Sequence, residues 1–271
     1  MRRRAPRRWL PLLSLVLLSA LPMQAAPGED PVVEAQKAIT TLSASFEGAQ
    51  SAMRARLESL RETAEYKEAY EERDFAKLRE MSGKISDPFV AEWKEKFSTI
   101  ARSYAGQEAE LVVAAAQMKY RLLDKPAQEL ERLIGAYPTS PQLAELIEGS
   151  RPPRGMQPDR FRELMTKIID ENPSKEIRAQ AYFNRGNALR RKRDATDEEK
   201  ASFEADFSKV IELLPADALL SLKAQGPRFE ETRLQVGMKA PDIVGVDLFG
   251  ESFKLSDYAG KVVMLDFWGD W

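Results

Sequence analysis

The 271-residue sequence contains neither cysteine nor histidine. Without a thiol, no residue of this chain can act as a thiolate nucleophile, form a disulfide or carry a lipoprotein anchor. Without histidine, the usual zinc sites and imidazole-based acid–base catalysis are excluded as well. We expect no cofactor. A redox function would therefore depend on a reactive residue that these 271 positions do not supply.

A strong excess of charge of either sign is also missing, since the net charge is -2. Five arginines lie within the first eight residues, and the remainder of the chain carries 36 basic against 43 acidic residues. A mildly acidic body argues against nucleic-acid binding, because recognition of the phosphate backbone requires a basic surface. We therefore expect no nucleic-acid partner.

The N-terminus has the pattern of a secretory signal peptide. Residues 1–8 are basic, Trp9–Leu21 is an apolar run of 13 residues, and Pro22–Ala26 supplies a break and small residues. This order is typical of a signal peptide, and the apolar run is shorter than the roughly 20 residues that span a bilayer. We assign residues 1–26 to it, with cleavage after Ala25, and predict a periplasmic or secreted protein. The alternative is an uncleaved anchor or a buried N-terminal helix.

Residues 27–230 have the pattern of a helical domain. Asp30-Pro31 is typical of the N-cap and first residue of a helix, and Asp87-Pro88 repeats the same signal. Apolar residues, among them Phe89 and Trp93, then recur at steps of three and four. Such stripes indicate packed helix faces rather than ligand sites.

Part of this domain contains a degenerate repeat, in which a basic residue and two aliphatic residues are followed by proline. The three copies begin at Arg132, Lys167 and Lys209, and their prolines are Pro138, Pro173 and Pro215. The separations of 35 and 42 residues lie near the period of tetratricopeptide helix pairs. Ala181–Leu189 resembles the first helix of such a repeat, with Gly186 where two helices approach closely. We predict either a tetratricopeptide-like array, whose concave surface would bind a protein partner, or a plain helical bundle.

The pattern changes after Gly226-Pro227, where glycines, prolines and short alternating runs replace the helical spacing. Ile243–Leu248 and Ser252–Leu255 flank a turn and predict a β-hairpin. Ser256-Asp257-Tyr258 predicts a short helical turn. Val262–Trp268 is nearly all apolar, which predicts a central strand covered on both faces.

About 38 residues of this C-terminal segment carry a resemblance to a known family. They include Gly237, Ala240-Pro241, Gly245, Asp247, Gly250, Phe253, Leu255–Tyr258, Gly260–Val263 and Leu265–Trp271. In this order they resemble the start of the redoxin domain of the AhpC/TSA group, and in particular its TlpA- and ResA-type extracytoplasmic thiol–disulfide oxidoreductases. We therefore assign residues 234–271 to the N-terminal fragment of a thioredoxin-like domain. The predicted fold is mostly α, followed by an incomplete α/β domain made of the hairpin and the first central strand.

The resemblance implies thiol–disulfide exchange, or peroxide reduction if the peroxidase branch of the group applies. In that family the next residues form Cys-x-x-Cys at a helix N-terminus, where the helix dipole favours the thiolate. Asp266 resembles the buried strand carboxylate that takes a proton from the resolving thiol, and Trp268 and Trp271 resemble the aromatics beside the substrate groove. The implied partners are a protein disulfide or a peroxide as substrate and a membrane or periplasmic thiol as reductant.

Two hypotheses follow for the chain as a whole. In the first, the sequence is truncated before its redox residue. The favoured cause is a UGA codon that encodes selenocysteine at position 272 and has been taken for a stop, and the rival cause is a simple nonsense change or a sequencing fragment. A random break within a domain of this size would fall at that point about once in 100 cases. In the second, the chain is a non-enzymatic extracytoplasmic helical interaction protein. Under either hypothesis the 271 residues alone are expected to be inactive as an oxidoreductase.

Overall fold

The computed structural model describes residues 30–149, 151–190, 192 and 194–267. The described residues form ten α-helices, a two-stranded sheet and one short 3-10 helix. The chain divides into two compact units, with the boundary between Asp124 and Lys125. The predicted signal peptide, residues 1–26, lies outside the described residues, so its assignment stays a prediction. Within the described ranges, no helix combines the length and the apolar content that a membrane span requires.

The regular elements in the described part of the first unit are all helices. Its helices are α1 (Pro31–Arg61), α2 (Ala64–Glu71), α3 (Phe75–Ser103) and α4 (Glu110–Lys119). Helix α1 begins where the sequence predicts, because the side chain of Asp30 accepts a hydrogen bond from the backbone N–H of Val32 at 2.9 Å.

Aromatic side chains form the centre of this unit. Phe46 of α1 is only 2% exposed, and its ring centroid lies 5.3 Å from that of Trp93 and 6.2 Å from that of Phe97, both on α3. Tyr120, which follows α4, packs on Phe46 at 4.3 Å and donates its hydroxyl proton to Glu47 at 2.7 Å. The predicted apolar stripes are therefore the surfaces by which α1, α3 and α4 pack together.

The helix start predicted at Asp87-Pro88 is wrong. Helix α3 begins earlier, where Asp74 accepts a hydrogen bond from the N–H of Lys77 at 2.9 Å, and it continues through Pro88. A proline in a helix interior costs about 3 kcal/mol relative to alanine. Buried residues on both sides of Pro88, including Leu78 and Trp93, hold the two halves of the helix in place. Tertiary packing thus outweighs the local preference for a break.

The second unit contains the remaining elements. Its helices are α5 (Pro126–Ala136), α6 (Leu143–Leu146), α7 (Pro158–Glu171), α8 (Lys175–Arg190), α9 (Asp197–Leu213) and α10 (Leu219–Arg233). Helices α5, α7 and α9 each end two residues before a proline of the predicted repeat. The helix ends predicted from Pro138, Pro173 and Pro215 are therefore confirmed, since proline cannot continue a helix without losing a hydrogen bond.

Helix α8 packs against both α7 and α9. A Cβ atom at Gly186 of α8 would lie 3.0 Å from the ring of Phe207 on α9, so this position tolerates no side chain without displacement. Phe183 stacks on the same ring with a centroid distance of 5.4 Å. The close helix approach predicted at Gly186 is confirmed, whereas the tetratricopeptide assignment stays a prediction.

Two buried asparagines attach the segment around α6 to these helices. Asn172 donates its side-chain N–H to the carbonyl of Pro138 at 2.8 Å, and Asn184 donates to the carbonyl of Ile147 at 2.7 Å. Asn184 is fully buried, so this bond satisfies a polar group that would otherwise be costly inside the protein. The irregular connection between α5 and α7 is fixed in this way.

The chain then forms the predicted hairpin. Strands β1 (Val244–Val246) and β2 (Ser252–Lys254) pair in antiparallel fashion, with Gly245 opposite Phe253, and a 3-10 helix follows at Leu255–Tyr258. The central strand predicted at Val262–Trp268 is not formed in its described part, because residues 262–267 have no regular structure. A strand is stable only when a neighbour takes up its backbone hydrogen bonds, and no described segment pairs with these residues. The described fold is mostly helical with one small sheet.

Candidate functional site

Residues 237–267, here called the C-terminal module, contain the described part of the predicted redox site. Its hairpin turn is built around Asp247, whose carboxylate accepts the backbone N–H groups of Phe249 at 2.8 Å and Glu251 at 2.9 Å. The backbone N–H of Gly250 also bonds to the carbonyl of Asp247 at 3.1 Å. Gly250 has a φ of 86°, a conformation that residues with a side chain rarely adopt. Asp247 and Gly250 therefore fix the turn geometry.

A close approach between the two strands explains why position 245 is a glycine. A Cβ atom at Gly245 would lie 3.1 Å from the ring of Phe253 on the opposite strand. A larger residue at this position would push the ring away from the backbone. The pair of Gly245 and Phe253 thus gives the hairpin its one sheltered face, since both residues are half-buried while Val244 and Val246 are exposed.

A second carboxylate connects the start of the hairpin to its end. Asp242 accepts both the backbone N–H and the hydroxyl of Ser256, each at 2.8 Å. These two hydrogen bonds, the backbone one first, lower the pKa of Asp242, because they stabilise its charged form. The N–H of Leu255 bonds to the carbonyl of Ile243 at 2.9 Å, and Asp257 accepts the N–H of Lys254 at 2.8 Å. The 3-10 helix is therefore held at the base of the hairpin.

The predicted catalytic residues are not assembled into a site by the described residues. Asp266 is exposed in the irregular segment 262–267 and does not have the burial that its predicted role requires. Trp268 and Trp271 lie outside the described residues. Large apolar side chains of the segment are also exposed, with Val262 fully accessible, Met264 91% exposed and Phe267 80% exposed. Apolar side chains of this kind are normally covered in a folded domain.

A polar groove in the helical part was not predicted from the sequence. It has a volume of about 420 Å³ and lies where α7, α8 and α9 meet. Its lining includes Asp159, Arg162, Glu163, Thr166, Arg185 and Ser202. The guanidinium of Arg185 forms two hydrogen bonds with Asp206, at 2.6 and 3.0 Å, and a third with Thr166 at 2.9 Å.

The charges of this groove are paired with one another. The hydrogen bonds that Asp206 accepts from Arg185 raise the pKa of Arg185, and the side chain of Asp206 is only 4% exposed. Arg162 lies 3.7 Å from Asp159, and Arg160 binds Glu163 at 2.6 Å. These last two ion pairs lie within α7, whereas Arg185 connects α8 to α9 through Asp206 and to α7 through Thr166. Arg185 and Asp206 are 21 positions apart, and neither stands in a motif that would predict their pairing.

Metal binding has no support in the described part of the chain, which contains no group of three acidic side chains that could hold an ion. What the described residues do contain is a hairpin and a 3-10 helix in the segment assigned to the redox domain. The residues that carry the resemblance, such as Asp247, Gly250 and Gly245, are those that build its hairpin. The class that this segment resembles is therefore the ResA-type redoxin.

Comparison with known proteins gives the same class. The chain is 37% identical over 65 residues to the thiol-disulfide oxidoreductase ResA of Bacillus cereus (strain ATCC 10987 / NRS 248). The matched stretch covers 24% of this chain and 38% of the relative. The chain is 55% identical over 42 residues to the protein of the same name from Geobacillus kaustophilus, a match that covers 16% of this chain and 24% of the relative. The ResA of Bacillus anthracis matches at 37% over 65 residues.

These matches are partial. The chain spans less than two fifths of the length of these curated relatives. No family model matches the chain, and no solved structure matches it at a significant level. The similarity therefore concerns a ResA-type segment and not the whole chain.

Proposed function

We propose that this protein is an exported thioredoxin-like oxidoreductase in which a helical domain precedes a redoxin domain. The observation that carries the proposal is the similarity to the ResA relatives, which is 37% identity over 65 residues. The hairpin formed by the residues that carry the resemblance is consistent with it. Thiol–disulfide exchange is the favoured reaction because that is what the relatives' name states. Peroxide reduction is the alternative reaction, which applies if the protein belongs to the peroxidase branch of the same group.

The residues of this chain would orient the redox site rather than perform its chemistry. Asp247 and Gly250 set the hairpin turn, and Asp242 binds Ser256 at the start of the 3-10 helix. Gly260, with a φ of 84°, then reverses the chain into residues 261–267. These contacts support a fixed starting point for the segment that would lead to the reactive residue.

The proposed reaction needs a nucleophile outside the 271 residues, which contain no cysteine. A thiolate or selenolate attacks one sulfur of the substrate disulfide, and the other sulfur leaves as a thiolate. A second thiol of the enzyme then attacks the mixed bond, which releases the reduced substrate and leaves the enzyme oxidised. A thiol reductant returns the enzyme to its starting state. Asp266 is proposed to accept the proton of the second thiol once its carboxyl group is buried by the rest of the redoxin domain.

The nucleotide sequence after the codon for Trp271 tests the identity of the nucleophile. The selenocysteine hypothesis predicts a UGA codon at position 272 and an in-frame cysteine codon three positions later. Any other codon, or the absence of that cysteine, contradicts the hypothesis. A cysteine codon at position 272 would leave the oxidoreductase proposal intact.

Enzyme assays test the reaction itself. The 271-residue chain should not catalyse reduction of a disulfide by dithiothreitol, whereas a chain continued through the following codons with cysteine at 272 and 275 should. A matched chain with serine at position 272 is the control and should be inactive. Absence of turnover in the cysteine form, with either a disulfide or a peroxide, would contradict the proposal.

Export is proposed from the basic and apolar pattern of residues 1–26. Mass spectrometry of protein purified from the extracytoplasmic fraction should give a mature N-terminus at Ala26. Replacement of Leu15 and Leu17 by arginine should retain the protein in the cytoplasm, because a charged h-region is not recognised as a signal. An unprocessed protein that remains soluble in the cytoplasm would contradict this part of the proposal.

The second function, a helical interaction protein, is favoured by one observation, the absence of cysteine and histidine from the chain. Under this proposal the helical domain binds a protein partner and no dithiol reaction is involved. A gene deletion rescued equally well by the 271-residue chain and by its continued form would favour it. Rescue by the continued form alone would favour the oxidoreductase.

A further inference from the structure

Helix α10 has the two least favourable helix-interior residues next to each other. Gly226 and Pro227 lie at its middle, since the helix runs from Leu219 to Arg233. Proline has no N–H, so the carbonyl of Lys223 cannot receive its normal helix hydrogen bond. Glycine gains more freedom than any other residue when a helix opens. The helix is therefore weakest at this point.

Packing is also unequal on the two sides of this point. Before it, Ser221 and Ala224 are buried, and Ala224 belongs to the hydrophobic cluster that includes Phe183 and Phe207. After it, none of the described residues up to Phe267 is buried. A Cβ atom at Gly226 would find no neighbour within 4 Å. Only the first half of α10 is held by the rest of the second unit.

The second half of α10 is held by local bonds. Thr232 donates its hydroxyl proton to the carbonyl of Arg228 at 2.7 Å, and Gln235 donates its side-chain N–H to the carbonyl of Glu230 at 3.0 Å. Only six helical residues follow Pro227. Isolated helices shorter than about 12 residues are marginal in water, because nucleation is costly and few hydrogen bonds repay it.

Helix α3 provides an internal comparison. It also contains a proline, Pro88, but residues on both sides of that position are buried, namely Leu78 before it and Trp93 and Phe97 after it. The proline of α3 is therefore held in a packed helix. The proline of α10 has packing on one side only, which allows the other side to move.

We propose that Gly226-Pro227 is a hinge, about which the second half of α10 and the C-terminal module turn relative to the packed helices α7, α8 and α9. The proposal rests on the packing of α10 and does not depend on the chemistry of the module. The hinge would allow the module to reach partners in several orientations while the helical array stays fixed.

Hydrogen–deuterium exchange of the full 271-residue chain tests the hinge. Amides of residues 228–233 should exchange nearly as fast as those of 234–240, while amides of residues 223–225 stay protected. Equal protection on both sides of Pro227 would overturn the proposal. Replacement of both hinge residues, Gly226→Ala with Pro227→Ala, should slow exchange of residues 228–233 by at least about tenfold.

The matched control is Pro88→Ala in α3. This substitution removes the same kind of defect from a helix that is packed on both sides, so exchange before and after position 88 should slow by the same factor, within about threefold. If the double alanine variant of α10 leaves the exchange of residues 228–233 unchanged, Gly226-Pro227 is not the hinge.

A distance measurement gives an independent readout, because the absence of cysteine allows spin labels to be placed at will. Labels at Ser208→Cys on α9 and Glu231→Cys on α10 both stand at exposed positions. The distance distribution should be broad with Gly226-Pro227 and narrow with the two alanines. A narrow distribution in both proteins would overturn the proposal.

Discussion

Replacement of Phe46 by alanine tests whether the aromatic cluster is the main source of stability in the first unit. The ring is 2% exposed and lies within 6.2 Å, between centroids, of Phe89, Trp93, Phe97 and Tyr120. Alanine would leave a cavity among four aromatic rings that are themselves anchored on other helices. Because such rings cannot collapse easily into the space, the full cost of a large-to-small substitution is expected.

The magnitude follows from the burial of the ring. A buried Phe→Ala substitution costs about 3–5 kcal/mol, and we expect about 4 kcal/mol here. With a urea dependence of about 1.5 kcal/mol per molar, the unfolding midpoint of the first unit should fall by roughly 2.7 M. This is a large part of the 5–15 kcal/mol that typically stabilises a domain, so the first unit should approach marginal stability.

Tryptophan fluorescence provides the assay. Trp93 lies 5.3 Å from Phe46, between ring centroids, and therefore reports on the cluster directly. The measurement is made in a background in which Trp9, Trp268 and Trp271 are phenylalanine. Phe75→Ala is the control, because this ring is 67% exposed and its loss should change stability by less than about 0.5 kcal/mol. A similar effect of the two substitutions would refute the reasoning.

Three further predictions concern the second unit and the C-terminal module. Asp206→Ala should lower the free energy of unfolding of the helical part by about 3 kcal/mol, because it leaves the largely buried Arg185 without its carboxylate partner. Urea unfolding followed by circular dichroism measures this, and a decrease below about 1 kcal/mol would contradict it. Gly186→Ala should cost about 1–3 kcal/mol in the same assay, since the new Cβ would meet a ring at 3.0 Å, and an unchanged midpoint would be inconsistent with that contact. The lowered pKa of Asp242 means that its bond to Ser256 is fully formed above the ordinary carboxyl pKa and is lost as the pH falls through the lowered value. The NMR chemical shift of the Ser256 amide should therefore titrate at a pH below the pKa of an aspartate that accepts no hydrogen bonds. A midpoint at or above the ordinary aspartate pKa would rule out this bond.

The features that sequence predicted well are set by local chemistry. The start of α1 depends on Asp30 and Pro31, which act within one turn of the helix. The ends of α7 and α9 depend on a proline two residues away. The hairpin depends on turn residues such as Gly250, which adopts its φ of 86° without the steric cost that a side chain would impose. Each of these signals acts over a few positions and can be recognised without knowledge of the fold.

The features that sequence did not predict depend on distant neighbours. Pro88 carries the same local signal as Pro31, but packing on both sides keeps it inside α3. Arg185 and Asp206 meet only because α8 packs against α9. The apolar run from Val262 has the composition of a central strand, yet a strand requires a partner, and composition does not supply one. Propensity therefore indicated what these segments could form, and contacts determined what they did form.

The same distinction applies to the predicted redox site. Gly245, Asp247 and Gly250 carry the resemblance to ResA-type redoxins, and each has a structural reason in the hairpin: a ring contact, two backbone hydrogen bonds and a positive φ. None of them requires a nearby thiol in order to perform that role. The resemblance at these positions is therefore evidence for the hairpin, and it would persist in a protein that had lost the reaction. Thiol–disulfide exchange depends on a thiolate or selenolate nucleophile, and these 271 residues contain no cysteine to supply one. Similarity of 37% over 65 residues thus supports the class of domain, whereas activity depends on the residue that supplies the nucleophile.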